Sequence, residues 1–171
     1  LYVASARESP PSNPDESLVD RLEPHTPIEI RPADDKTAIA PGTAYVAAPD
    51  CRMIVCNGEL LSSPAEAPAE SSVVIDRLFE SLATDYREQA VSLILSGDGT
   101  DGSIGLKAIK ERGGITMAQE PGEALHSGMP ESAVGTRLVD FVEPVDRLAG
   151  QLARWSRHDR PRRLDASVDR L

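Results

Sequence analysis

Residues 91–119, VSLILSGDGTDGSIGLKAIKERGGITMAQ, decide the fold. The apolar run at 91–96 carries no charge and predicts a buried strand, which breaks into a turn with three glycines at 97–102. An amphipathic stretch of about ten residues follows and predicts a helix, which the glycine pair at 113–114 would end. A second apolar run at 115–119 predicts another strand. The stretch is therefore interpreted as a strand, a tight turn, a helix and a strand.

Two short strands joined through one helix form a βαβ unit, in which the strands run parallel and the sheet is covered on both faces. Ligands and catalytic groups in open sheets of this kind collect at the carboxyl ends of the strands. We therefore expect Asp98 and Asp101, which follow the first strand, to lie where chemistry takes place.

The rest of the chain continues the alternation of strand and helix, which favours a three-layer, doubly wound α/β domain with a mostly parallel sheet. Asn57-Gly58 between two strand-like runs predicts a tight hairpin, so we expect an antiparallel ribbon at one side of that sheet. Other segments predicted as regular structure are a first strand at 1–6, a helix capped by Asn13, a strand at 27–32, a helix from about residue 72, a short helix within 120–138, a strand at 138–144 and a final helix from 145.

Composition and charge bound the class of protein. The chain has 171 residues, of which 40% are apolar and 27% charged, and these fractions are ordinary for one globular domain. Its formal net charge is −10. We divide it into a domain at 1–153, where the acidic residues are concentrated, and a basic tail at 154–171 that we expect to be disordered. An acidic body argues against nucleic-acid binding. We find no apolar run of about 20 residues for membrane insertion and no signal peptide pattern, so we expect a cytoplasmic protein.

The two cysteines do not indicate a metal site. Cys51 and Cys56 are five residues apart with no histidine beside them, and a zinc site would need more ligands. We interpret them as reduced packing residues.

The glycine-rich turn allows three interpretations. Gly97-Asp98-Gly99-Thr100-Asp101-Gly102 fits a dinucleotide-binding pattern, but two aspartates would face the diphosphate. Asp101 could instead be the N-cap of the helix that follows it. It could also be the acid that orients a catalytic histidine, as in a Ser-His-Asp triad. Spacing along the chain does not choose between these roles, because triad partners meet in space.

The segments SLILSGDGTDGSIGLKAIKERGG (92–114) and TMAQEPGEALHSGMPESAVGTRLVDFV (116–142) resemble the catalytic domain of the CheB family, the chemotaxis receptor methylesterases. That resemblance implies a serine hydrolase on an α/β sheet, which removes methyl esters from glutamyl side chains of chemoreceptors and needs no cofactor. By motif, Asp101 matches the family's triad aspartate. Gly99 and Gly102 belong to the same turn, and Met129 lies in a Gly-Met-Pro loop that the resemblance places beside the active site.

The chain departs from the family's pattern at the other triad positions. Ser5 stands at or near the position where the family has its histidine, and no Gly- and Ser-rich turn carries a nucleophilic serine, as if the first βα unit were missing. His25 and His126 are interpreted as ordinary surface or packing histidines. Asp98 replaces a residue that is usually uncharged. We therefore expect this chain alone to be inactive as an esterase.

The resemblance also implies partners. We expect a methyl-accepting chemoreceptor or a similar signalling protein as the partner, with receiver-domain or methyltransferase modules in a longer native protein. One alternative is a degenerate, non-catalytic docking domain of a signalling protein. Another is the dinucleotide-binding module described above.

Overall fold

The computed structural model describes the backbone of Tyr2–Ala4 and residues 17–48, 51–64 and 73–158. The strands in these ranges are β1 (Tyr2–Ala4), β2 (Glu29–Pro32), β3 (Thr37–Ala38), β4 (Thr43–Val46), β5 (Cys51–Cys56), β6 (Glu59–Pro64), β7 (Val91–Ile94), β8 (Ile115–Gln119) and β9 (Phe141–Glu143). The helices are α1 (Leu18–Leu22), α2 (Val74–Tyr86), α3 (Ser103–Glu111), α4 (Gly128–Gly135) and α5 (Val145–His158), with 3-10 turns at Glu23–His25 and Arg87–Gln89.

The strands form three sheets of three strands each within the described ranges. Two are parallel, with the orders β1-β4-β2 and β7-β8-β9, and the third is antiparallel with the order β3-β6-β5. The predicted α/β class and parallel pairing are confirmed. The parallel strands are divided between two sheets, and the hairpin β5-β6 belongs to the antiparallel sheet together with β3.

The hairpin turns at Asn57-Gly58, as its sequence predicts. The φ angles of these residues are 52° and 77°, as a two-residue turn with left-handed backbone requires. The Asp85 carboxylate on α2 accepts hydrogen bonds from the amides of Asn57 and Gly58 at 3.0 and 2.9 Å. The turn is thereby tied to α2, so the hairpin has a fixed position against that helix.

Helix α2 links the antiparallel sheet to the second parallel sheet. Leu78, Phe79 and Ala83 are buried on its inner face, as its periodicity predicts. The helical periodicity places Asp76 on the outer face with the other charged residues, but its side chain is buried and only 6% of the residue is exposed. One core of buried apolar residues joins these layers, including Tyr45, Met53, Leu60, Ile94, Leu106, Ile109 and Ala118.

The predicted ends of several elements need correction. Helix α1 begins after Ser17, which caps it in a reciprocal bond with Asp20, while Asn13 lies outside the described residues. No residue of α1 is buried, although its apolar side chains were expected in the core. Helix α5 continues to His158 and so includes the first five residues of the predicted tail, whose remainder (159–171) lies outside the described residues. None of the described helices has the length and apolarity needed to cross a membrane.

Candidate functional site at the carboxyl edge of a parallel sheet

The two loops of interest leave the same edge of the second parallel sheet. β7 and β8 pair in parallel, with Val91 opposite Ile115 and Ile94 opposite Ala118. The turn at 95–102 follows β7 and the loop at 120–127 follows β8, so both lie at the carboxyl ends of adjacent strands. The expectation that the two segments meet at this edge is therefore confirmed.

Hydrogen bonds hold the two loops together. The Gly97 amide donates to the His126 carbonyl at 2.9 Å, and the Met129 amide donates to the Gly97 carbonyl at 2.8 Å. The His126 amide donates to Ser96 Oγ at 2.9 Å, while the Ser96 amide donates to Gln119 Oε1 at 2.8 Å. The loop backbones are thus fixed on each other.

Met129 packs onto the glycine-rich turn. Gly128-Met129-Pro130 was expected to be a loop, but these residues form the first turn of α4, and their place beside an active site stays a prediction. A Cβ added to Gly97 would lie 2.6 Å from Met129 Sδ, so a larger residue at this position would displace the methionine side chain. Ser132 on α4 adds a hydrogen bond from its hydroxyl to the Gly99 carbonyl at 3.4 Å. The first turn of α4 is therefore seated against residues 97–99 of the turn.

The Asp101 carboxylate caps a helix, but not the one predicted. Its two oxygens accept hydrogen bonds from the amides of Ile75 and Asp76, each at 3.0 Å, in the first turn of the preceding helix α2. Helix α3 begins after Gly102, and neither this N-cap residue nor Asp101 supplies a side-chain cap to it. The expected cap on the following helix is therefore wrong, because the carboxylate reaches the neighbouring helix instead of its own.

Asp76 returns this interaction. Its Oδ1 accepts a hydrogen bond from the Gly105 amide of α3 at 2.7 Å, so each aspartate satisfies an amide at the start of the other's helix. A Cβ at Gly105 would lie 2.9 Å from the Asp76 carbonyl oxygen, which shows how closely the helices approach. Sequence reasoning missed Asp76. The available signal was an acidic residue in the first turn of a helix.

The environment of Asp101 makes it a partly buried, fixed acid. Burial raises the pKa of Asp101, the bonds from the Ile75 and Asp76 amides act in the opposite direction, and the nearby Asp76 carboxylate raises the pKa further. An ionised carboxylate offers about four acceptor positions, and the backbone amides of Ile75, Asp76 and, with the smallest effect on the pKa, Gly102 use three of them. Asp101 therefore keeps the capacity to accept a bond from an imidazole N–H.

His25 and His126 were interpreted as surface or packing histidines, and in the described part of the chain neither contacts Asp101. His126 Nδ1 lies 3.4 Å from the Asp98 carboxylate, and the two side chains are 51% and 83% exposed. His25 lies in the 3-10 turn after α1. Ser5 lies outside the described residues. The triad role of Asp101 and the active-site position of Ser5 stay predictions.

Gly99 and Gly102 adopt the same backbone conformation in different surroundings. Each has a φ of 91°, in the left-handed region. A Cβ at Gly102 would lie 2.9 Å from Ile75 Cγ2 and 3.0 Å from Ile94 Cδ1, whereas a Cβ at Gly99 would meet nothing within 4 Å. Position 102 thus favours glycine both for its left-handed backbone and for the lack of space around it, whereas position 99 favours glycine for its left-handed backbone alone.

The start of α3 is not arranged to bind a diphosphate. The Ser103 amide donates to the Thr100 carbonyl at 3.2 Å, and the Leu106 amide donates to the Gly102 carbonyl at 3.0 Å. The Gly105 amide is taken by Asp76. Because these amides already have partners and a carboxylate stands at the helix start, the dinucleotide interpretation is disfavoured. No cluster of three or more metal-ligating side chains occurs among the described residues.

Comparison with known proteins identifies relatives of this chain. A family model described as CheB methylesterase matches residues 6–152. The chain is 36% identical over 141 residues to a protein-glutamate methylesterase/protein-glutamine glutaminase of Halobacterium salinarum, which is 80% of this chain and 41% of that protein. It is 32% identical over 137 residues to a protein of the same name from Clostridium acetobutylicum, covering 80% of this chain and 40% of that protein. The chain thus spans about two fifths of these relatives' length.

A solved structure supports the same relationship. The crystal structure of the Thermotoga maritima CheB methylesterase catalytic domain superposes with a TM-score of 0.71 and 25% sequence identity. The superposition covers 80% of this chain and 75% of the Thermotoga chain. Sequence and fold therefore point to the same relatives.

Proposed function

This chain belongs to the CheB methylesterase family, and from that membership we propose that it is a protein-glutamate methylesterase domain of chemotaxis signalling. The reaction of such a site is hydrolysis of a glutamyl methyl ester on a methyl-accepting chemoreceptor, which yields glutamate and methanol. One observation carries the proposal: two backbone amides fix the Asp101 carboxylate at the carboxyl edge of a parallel sheet. By motif, this residue matches the family's triad aspartate.

The chemistry assigns Asp101 a supporting part. A serine hydroxyl attacks the ester carbonyl while a histidine takes its proton and delivers it to the departing methoxide, which leaves as methanol. Water then cleaves the acyl-enzyme, releasing the glutamate and restoring the serine. Asp101 would accept a bond from the imidazole and stabilise the imidazolium that forms. The two amide bonds from α2 support this role because they fix the carboxylate in one orientation.

We further propose that this chain alone does not hydrolyse the ester. By resemblance Ser5 stands where the histidine is expected, and a serine hydroxyl without a neighbouring base is a weak nucleophile. In the described residues the pair formed by His126 involves Asp98 and is largely open to solvent. Asp101 then lacks an imidazole to orient.

The proposed setting is cytoplasmic and part of a longer signalling protein. Receiver-domain or methyltransferase modules in the longer protein would connect such a domain to a phosphorelay. The relatives' greater length supports this arrangement, since the chain spans about two fifths of them.

Two measurements test the proposal. The first compares binding of a chemoreceptor fragment carrying glutamyl methyl esters with binding of the same fragment after de-esterification. We expect the esterified form to bind more tightly, and equal or undetectable binding of both forms would contradict the assignment as a methylesterase domain.

The second measurement follows methanol release from the esterified fragment. We expect no release above background from the chain as given or from its Asp101→Asn variant. Release that is lost in Asp101→Asn would overturn the proposed inactivity. Release that is lost in His126→Gln but kept in Asp101→Asn would assign the base to His126 and its partner Asp98.

A further inference from the structure

Exposed apolar side chains are concentrated at one edge of the molecule. The three most exposed large hydrophobic residues in the described part of the chain are Leu125 at 87%, Ile104 at 67% and Leu95 at 42%. Leu95 follows β7, Ile104 lies in the first turn of α3, and Leu125 lies in the loop after β8. Leu95 and Leu125 therefore lie in connections at the carboxyl edge of the second parallel sheet, and Ile104 lies at the start of the helix that leaves the same edge. Grouped exposed apolar side chains of this kind mark interaction sites.

Leu95 and Leu125 are brought together by the backbone. Ser96 and His126, the next residue after each leucine, are joined by the 2.9 Å bond from the His126 amide to Ser96 Oγ. Gly97 and His126 share a second bond, between the Gly97 amide and the His126 carbonyl. The leucines are thus held at the surface by fixed loops, which lowers the ordering cost of binding a partner.

The same edge is acidic. The segment 95–104 contains two aspartates and the segment 120–131 contains three glutamates, and neither contains lysine or arginine. The exposed Lys107, one turn after Ile104, is paired with Glu111 at 3.6 Å, so the edge keeps a net negative charge. Asp98 and Glu120 are exposed beside the apolar residues. A partner that covers this edge therefore needs positive charge around an apolar centre, because complementary charge favours its approach and like charge excludes other partners.

We propose that Leu95, Ile104 and Leu125, with Asp98 and Glu120 around them, form a docking surface, the carboxyl-edge patch, for a polypeptide segment whose apolar side chains are flanked by lysine or arginine. This inference rests on the proposed function, since the patch adjoins the turn that carries Asp101 and would hold the protein that presents the ester. It names the chemistry of the segment that the domain recognises.

The acidic edge also discriminates between substrate and product. A glutamyl methyl ester is neutral, whereas the glutamate formed by hydrolysis carries a negative charge. Like charges close to a protein surface repel each other, so Asp98 and Glu120 favour binding of the ester and departure of the acid.

The test uses the full chain and three synthetic peptides without any ester. The first carries leucines flanked by lysines, the second replaces the leucines with serine, and the third replaces the lysines with glutamine. Fluorescence anisotropy gives the Kd of each. We expect the first peptide to bind at least about tenfold more tightly than either of the others, since a buried leucine alone is worth about a factor of ten.

Matched variants locate the binding. Leu125→Ser should raise the Kd of the first peptide about tenfold, while Leu22→Ser on α1, where the leucine is 37% exposed, should change it less than twofold. Glu120→Gln should weaken binding more than Glu59→Gln on β6, and the difference should shrink in high salt.

The proposed docking surface would be contradicted if the first peptide bound the Leu125→Ser and Leu22→Ser variants equally well. It would also be contradicted if the leucine and serine peptides bound the unmodified chain equally well. Because the peptides carry no ester, this result is independent of methanol release and of the preference for esterified receptor. If the first peptide binds the carboxyl-edge patch but the esterified receptor fragment binds no more tightly than the de-esterified one, only the proposed function is contradicted, and the docking surface stands.

Discussion

Replacing Asp101 by alanine should destabilise the folded chain by about 2 kcal/mol. The change removes the acceptor for two amides at the start of α2, each 3.0 Å from a carboxylate oxygen. Loss of a helix cap costs about 1 kcal/mol per unpaired amide, and relief of the buried charge offsets part of any larger loss. In a chain of 171 residues this corresponds to a fall in Tm of about 4 to 8 °C.

Urea unfolding and amide hydrogen exchange measure this effect. We expect the amides of Ile75 and Asp76 to exchange faster in Asp101→Ala, while Asp98→Ala in the same turn, whose side chain is 83% exposed, should cost less than about 0.5 kcal/mol. If Asp101→Ala and Asp98→Ala had equal free energies of unfolding, the role of Asp101 as a cap of α2 would be refuted. Because burial raises the pKa of Asp101, wild-type stability relative to Asp101→Asn should increase as the pH falls towards the ordinary value of 3.8, and decrease as the pH rises.

Two other substitutions test the surroundings of the turn. Gly99→Ala should cost about 1 kcal/mol for its left-handed φ, whereas Gly102→Ala should cost about 2 to 4 kcal/mol because its Cβ also collides with Ile75, and equal losses in urea unfolding would contradict this packing. Burial acts to raise the pKa of Asp140, but bonds from Lys110 and Thr116 outweigh it and lower the pKa. Asp140→Asn should therefore lose about 1 kcal/mol at neutral pH, a difference that disappears as the pH falls below 3.8, and a pH-independent difference would contradict it.

Local sequence signals predicted the elements whose causes are local. The strands at β7 and β8, the helix α3 between them and the Asn57-Gly58 turn follow from apolar runs, helical spacing and glycines that allow left-handed backbone. The parallel pairing of β7 and β8 followed from the helix that connects them. The sequence therefore also predicted which loops meet at the carboxyl edge.

Long-range contacts explain what the sequence could not predict. The periodicity of α2 assigned Asp76 to the solvent face, but the Gly105 amide of another helix makes burial of its carboxylate favourable. One of the interpretations left open for Asp101 was a cap on the helix that follows it, but the close approach of α2 supplies other donors. Neither pairing leaves a signal in spacing, because the partners are 25 to 29 residues apart.

Asp101 and Asp76 each bind backbone amides at the start of a neighbouring helix, and this limits what the sequence motif reveals about activity. A chain that abandons hydrolysis would still need an acid at position 101, since the start of a neighbouring helix depends on it. Persistence of the Asp-Gly pair at positions 101 and 102 in a descendant therefore reports on the architecture of two adjoining helices before it reports on turnover. The presence of this aspartate alone is therefore not evidence of enzymatic competence, because its carboxylate also holds the start of α2.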